Sequence, residues 1–211
     1  MSQLFIIGAG GHGCVLAELA SKFVGDLRAD WTTVILLDDQ RNRPALEIGI
    51  AVSGKSSELK TSVGTGDSFL IGLGNNRRRM QLLHTMRSSC APATLVAPDA
   101  HVSPSCTIGP GTVVMPGAIV QTGATIGEGC ILNSGCVIEH GVTLESGVHV
   151  APGACIGGDV TIGECSLIGI GASVLNGNSI SPDVVVGGGG VVTQSLHEPG
   201  TYVGVPTRPL Q

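Results

Sequence analysis

Three sets of residues in this 211-residue chain have types and spacings suited to chemistry. Ile138-Glu139-His140-Gly141 sets an imidazole, able to take up a proton near neutral pH, into a glycine-rich run. Gly8-Ala9-Gly10-Gly11-His12-Gly13 follows the apolar run Leu4 to Ile7. Glycines there let backbone N–H groups approach a phosphate at the positive end of a helix. Asp38-Asp39 and Gly74-Asn75-Asn76 each end another short apolar run, and the two carboxylates suit ribose or base hydrogen bonds. The seven cysteines, an odd number without paired metal-type spacing, read as reduced thiols, and no metal is expected.

Such groups act only where elements hold them, and the second half of the chain has a period of six. From Val96 to Val186, every sixth residue is aliphatic, sixteen in all and without insertion. Glycine takes the fourth position in eleven of the sixteen hexapeptides, and small residues such as Ala118, Cys130 and Cys136 take the fifth. Helices need a period near 3.6 and hairpin strands a period of 2, so neither fits. A triangular coil does: one short strand and one corner per hexapeptide, three to a turn of 18 residues, with coils stacked at roughly 4.8 Å. First positions then point into the prism, as do the cysteines on fifth positions. His140 falls on a third position, an outward corner with no core role, and Gly158 stacks on it one coil later. That leaves room beside the imidazole and a backbone N–H for a developing oxyanion. Ile170 and Gly188 repeat the relation as an apolar groove, open either to a pantetheine arm or to a neighbouring subunit.

Composition limits the partners. Five aromatics against 33 glycines favour a narrow aliphatic core over a bulky one. A net charge of −5 gives no footprint for nucleic acid or an acidic membrane, and the first residues lack a signal peptide or a membrane span. The expected location is cytoplasmic. Ahead of the repeat, Leu4 to Ile7, Thr33 to Leu37 and Phe69 to Leu73 read as strands of an α/β sheet, with helices after Gly13 and over Arg77 to Met86. Their polar ends share the edge at which open α/β sheets bind ligands. About 90 residues suffice for one mononucleotide unit and are too few for a dinucleotide, so NAD is not expected. Arg77-Arg78-Arg79 is read as a solvated first turn, with a phosphate contact as the alternative.

The unbroken hexapeptide register and the terminal Gly204-Val205-Pro206-Thr207-Arg208 resemble the hexapeptide acyltransferases, whose fold is a left-handed parallel β-helix. Taken in order with Gly10-Gly11-His12, Leu37-Asp38-Asp39, Gly74-Asn75-Asn76, Asn133 and Ile138-Glu139-His140, they make the chain similar to the sialic-acid O-acetyltransferase-like family of sugar acetyltransferases. The resemblance implies a Rossmann-like α/β mononucleotide domain over 1–90, a left-handed β-helix over 91–191 and a tail over 192–211. It implies acetyl-CoA as co-substrate, a nucleotide-linked 4-amino sugar as acceptor, and a homotrimer. By the same matching His140 is the catalytic base. His149, Gly158, Ile170 and Gly188 are acetyl-CoA contacts, and Gly10, Gly11, His12, Asp38, Asp39 and Gly74 hold the sugar nucleotide. Some family members place an acid directly after the histidine, where this chain has Gly141. Glu139 is one substitute and an ordinary corner acid the other reading. Asn133 either orients a ligand group or stabilises a turn.

Two other classes compete. Sugar O-acetylation would use the same residues, and a scaffold that binds sugar nucleotide would keep the fold without a base, which His140 at an outward corner opposes. A zinc carbonic anhydrase on this fold needs three histidine ligands. His140 and His149, half a coil apart, cannot stack on one face.

Overall fold

The computed structural model describes residues 2–24, 31–40, 42, 44 and 46–210 and divides into two units, Met1–Ala93 and Thr94–Gln211. In the first, Leu4, Phe5, Ile6 and Ile7 are all buried, as a strand covered on both faces requires. They form β1 (Gln3–Ile7), the centre of a parallel sheet. β2 (Thr33–Leu37) and β4 (Ser68–Ile71) flank it, with β3 (Val52–Gly54) outside β2 and β5 (Ala91–Pro92) outside β4. α1 (Gly11–Ser21) turns Leu16, Leu19 and Ala20 inward, and α3 (Asn76–Met86) buries Met80, Leu83 and Met86; between β3 and β4 lies the single turn α2 (Leu59–Ser62). The order β3-β2-β1-β4-β5 reverses direction between β1 and β4, which opens a crevice at the carboxyl ends of those strands.

The second unit is the coil that the period of six dictates. Two-residue strands pair in parallel with the strands 18 residues before and after, as Val120 does with Val102 and Ile138, building three sheets. First-position side chains from Val114 to Val192 are at most 3% exposed, while Val96, Val102 and Ile108 lie partly buried in the opening coil. All eleven fourth-position glycines have φ between 61° and 75°, the left-handed region that a tight corner needs. Two inward hydroxyls stitch coils together. Thr112 Oγ1 accepts from Cys130 N–H (3.0 Å) and donates to Gly127 O (2.8 Å); Ser166 Oγ accepts from Val184 N–H (3.1 Å) and donates to Ser181 O (3.0 Å).

The residues from 192 on, expected as a tail, continue the stack. Val191–Val192 pairs with Ser173–Val174, Gly200–Val203 pairs in parallel with Val184–Val186, and Arg208–Pro209 folds back antiparallel on the last of these. No helix among the described residues is long and apolar enough to cross a membrane.

Candidate active site

The α/β unit gathers its candidates at the crevice between β1 and β4. The glycines divide into two kinds. Gly8 takes φ +106° in the turn after β1 and donates its N–H to Leu37 O (2.7 Å). A Cβ on Gly13 would strike Gly8 O, and one on Gly72 would meet the Gly13 backbone, so these glycines allow α1 to pack directly on the strand ends. At Gly10, Gly11 and Gly74 an added Cβ would meet nothing within 4 Å, so the backbone there is open to a ligand. Gly10 is the N-cap of α1 and offers no side chain, leaving the first-turn N–H groups without a side-chain cap.

His12, in that first turn, has a buried Nε2 with no hydrogen-bond partner. Burial, and secondarily the Arg79 guanidinium, lower its pKa from 6.5 to about 4, so the ring is neutral at physiological pH. Arg79 departs from the sequence reading. Far from lying in a solvated turn, it is 1% exposed and donates to Leu73 O (3.0 Å) and Asn76 Oδ1 (2.9 Å). Asn75 caps the same helix by accepting from Arg78 N–H (2.9 Å). Asp38 and Asp39 hold protein before any ligand. Asp38 accepts from Ala9 N–H (2.6 Å) and Gln40 N–H (2.8 Å), fixing the glycine turn, while Asp39 accepts from Ser56 N–H (2.8 Å) and Ser56 Oγ (2.6 Å). Beside them lies a cleft of about 420 Å³ whose lining includes Asn42, Ser53, Lys55 and Glu58.

In the coiled unit, His140 stands on an outward corner with 60% of its side chain exposed. Its imidazole lies over Gly158. A Cβ there would come within 2.6 Å of Nε2 and 3.1 Å of Nδ1, so only glycine admits the ring. The Gly158 N–H donates to no acceptor among the described residues, because third-position N–H groups lie outside the coil ladder. The carboxylate within ion-pair distance is that of Asp159, Oδ1 to Nδ1 3.9 Å, while Glu139 forms no such pair. Asn133 pairs with His149 instead of His140. Its Nδ2, which can only donate, lies 3.2 Å from His149 Nε2, and its Oδ1 accepts from Ser134 N–H (2.8 Å). Ile170 is 67% exposed, and a Cβ on Gly188 would sit 3.3 Å from Ile170 O. Among the described residues no three His, Cys, Asp or Glu side chains gather as a metal site would require.

Comparison with known proteins adds a family to this geometry. Residues 3–86 match the PglD N-terminal domain, and residues 105–140 and 123–158 match the bacterial transferase hexapeptide (six repeats). The acetyltransferase domain of PglB from Neisseria gonorrhoeae FA1090 is 35% identical, with each chain fully covered and a TM-score of 0.91. The chain belongs to the sialic-acid O-acetyltransferase-like family of hexapeptide-repeat acetyltransferases. The same Neisseria domain in complex with acetyl coenzyme A superposes with a TM-score of 0.90, at 35% identity and with 99% and 98% of the two chains covered. PerB from Caulobacter crescentus, in complex with CoA and GDP-perosamine, is 31% identical over 100% of this chain and 98% of its own, with a TM-score of 0.90. The fold of this acetyltransferase is thus an α/β domain followed by a left-handed parallel β-helix, as the register predicts.

The structure therefore sorts the site residues of this acetyltransferase into local groups. His140 goes with Gly158, Asn133 with His149, Ile170 with Gly188, and His12 with the open glycines. Arg79 and Asp159 were not singled out as site residues by sequence. For Asp159 the signal existed, because the 18-residue spacing that stacks Gly158 on His140 also stacks Asp159 on Gly141.

Proposed function

We propose that this acetyltransferase N-acetylates the amine of a nucleotide-linked 4-amino-deoxy sugar, with acetyl-CoA as donor and His140 as general base. The observation that carries the reading is the exposed imidazole laid on Gly158, which places a proton acceptor beside an unengaged backbone N–H. The amine nitrogen attacks the thioester carbonyl while His140 accepts the amine proton, and the Gly158 N–H donates to the oxyanion that forms. Collapse breaks the C–S bond, and the proton held by His140 passes to the departing CoA sulfur. No covalent acetyl-enzyme is needed. His149, held by Asn133, and the Ile170–Gly188 groove contact acetyl-CoA. Gly10, Gly11, His12, Gly74 and the Asp38–Asp39 edge take the nucleotide part of the acceptor. The amino-sugar class is supported by the likeness to PerB, whose structure holds GDP-perosamine. The active assembly is a homotrimer.

Turnover of acetyl-CoA with a panel of nucleotide-linked 4-amino sugars tests the acceptor. His140→Ala is expected to lower kcat by roughly 100-fold to 10,000-fold, the span for loss of a positioned general base, with acetyl-CoA affinity retained. A variant that kept most of its turnover at saturating sugar would remove His140 from that role.

A further inference from the structure

The inference concerns what holds the His140 imidazole, and it rests on the reading of His140 as base. Fourteen fourth-position corners have positive φ; eleven are glycine, and the others are Asp159 (φ 58°), Cys165 (57°) and Asp183 (59°). An L-residue in this region carries a steric cost that glycine avoids, and such outliers collect where a side chain has a task. At Asp159 the surroundings point to the task. The residue stacked against it one coil earlier is Gly141, and a Cβ on Gly141 would collide with Asp159 Oδ1, so the carboxylate occupies the space that a side chain at 141 would need. From there Oδ1 lies 3.9 Å from His140 Nδ1, and the Asp159 N–H donates to His140 O (2.9 Å), tying the two corners together. Glu139, the nearest other acid in sequence, makes no ion pair with the ring.

We propose that Asp159 is a positioning residue for His140: from the next coil, its carboxylate favours the imidazole tautomer that carries the proton on Nδ1, leaving Nε2 to accept the proton of the substrate. Which ring nitrogen of a histidine bears the proton is set by the partner of the other, and a carboxylate is the commonest partner of Nδ1–H. At 3.9 Å the pair is too long for a direct hydrogen bond. A bridging water or closure around bound substrate completes the contact, as catalytic hydrogen bonds often shorten only in the complex. The arrangement also divides two tasks between adjacent residues of one corner. Gly158 provides room and an N–H under the ring, and Asp159 provides the charge at its edge.

The test uses Asp159→Gly, which restores the residue most fourth-position corners carry and is expected to leave thermal stability unchanged or raised. Three readouts are taken beside His140→Ala. Ring-nitrogen NMR of ¹⁵N-histidine-labelled protein, with the His140 signals assigned by their loss in His140→Ala, reports the tautomer. The proton on Nδ1 is expected to lose population in Asp159→Gly. kcat is expected to fall roughly threefold to tenfold, the effect of one partly screened charge, with the KM values for both substrates unchanged. The double variant Gly141→Asp/Asp159→Gly, which moves the carboxylate to the lower coil at a corner of the same φ, is expected to recover part of the lost turnover. An unchanged tautomer population, or unchanged kcat in Asp159→Gly while His140→Ala is inactive, would overturn the proposal and leave His140 as base. Full turnover in His140→Ala would instead overturn the base itself, and the positioning role with it.

Discussion

His12 shows how one side chain ties the pH response of a unit to its ligand crevice. The ring is buried, Nε2 lacks a partner, and its pKa is lowered from 6.5 to about 4, by burial first and by Arg79 second. A base with a depressed folded pKa binds fewer protons in the native than in the unfolded state as pH falls below 6.5. Stability present above that value is therefore lost as the pH drops towards 4. Over the full interval the loss is on the order of 3 kcal/mol. Trp31, the single tryptophan, is buried in the same unit, so its fluorescence isolates that unit's unfolding. Urea titrations followed at Trp31 should show wild type losing more stability than His12→Gln between pH 7 and pH 4.5. Equal losses would mean that carboxylates alone set the acid response. At this scale the sequence was only partly legible. Exposure of His140 and its contact with Gly158 follow from counting by 18, whereas the burial of Arg79 depends on how α3 packs, which a run of three arginines does not reveal.

Among the elements, the β-helix was legible almost to the residue because each hexapeptide restates the same constraint, and sixteen restatements leave one register. β3 and β5 were not read, since strands of three and two residues carry too little pattern to stand out from loops. The continuation of the stack beyond 191 was hidden for a related reason. After Val192 the next first position is Glu198, and the chain keeps pairing through Gly200–Val203 without the aliphatic signature. Within the prism, Thr112 and Ser166 occupy one corner 54 residues apart, three coils of 18, and make the same pair of bonds. Thr112→Val keeps the volume but leaves Cys130 N–H and Gly127 O without their partner in a dry interior. A loss of about 1 to 3 kcal/mol is expected, read as a lower Tm with an unchanged KM for either substrate. A Tm equal to wild type would show that a water replaces the hydroxyl.

For the whole molecule, the outward residues invite assembly. Ile170, Leu175, Val205 and Leu210 are 67%, 49%, 72% and 62% exposed, more apolar surface than a lone coil needs to present. Sedimentation is expected to show a trimer at assay concentrations. A monomer with full activity at nanomolar concentration would mean that each chain works alone. The strict 18-residue return of the coil also governs how such a chain can change length. Removing or adding six residues inside the prism would move every later strand to a different sheet, so that His140 would no longer lie on Gly158, and a change of one residue would turn the aliphatic column out to water. Only whole turns can be gained or lost with all three walls intact. The protein is in this sense quantised along its axis, and a family built on it grows or shrinks one floor at a time, with the working corner kept as a landing that no partial step can reach.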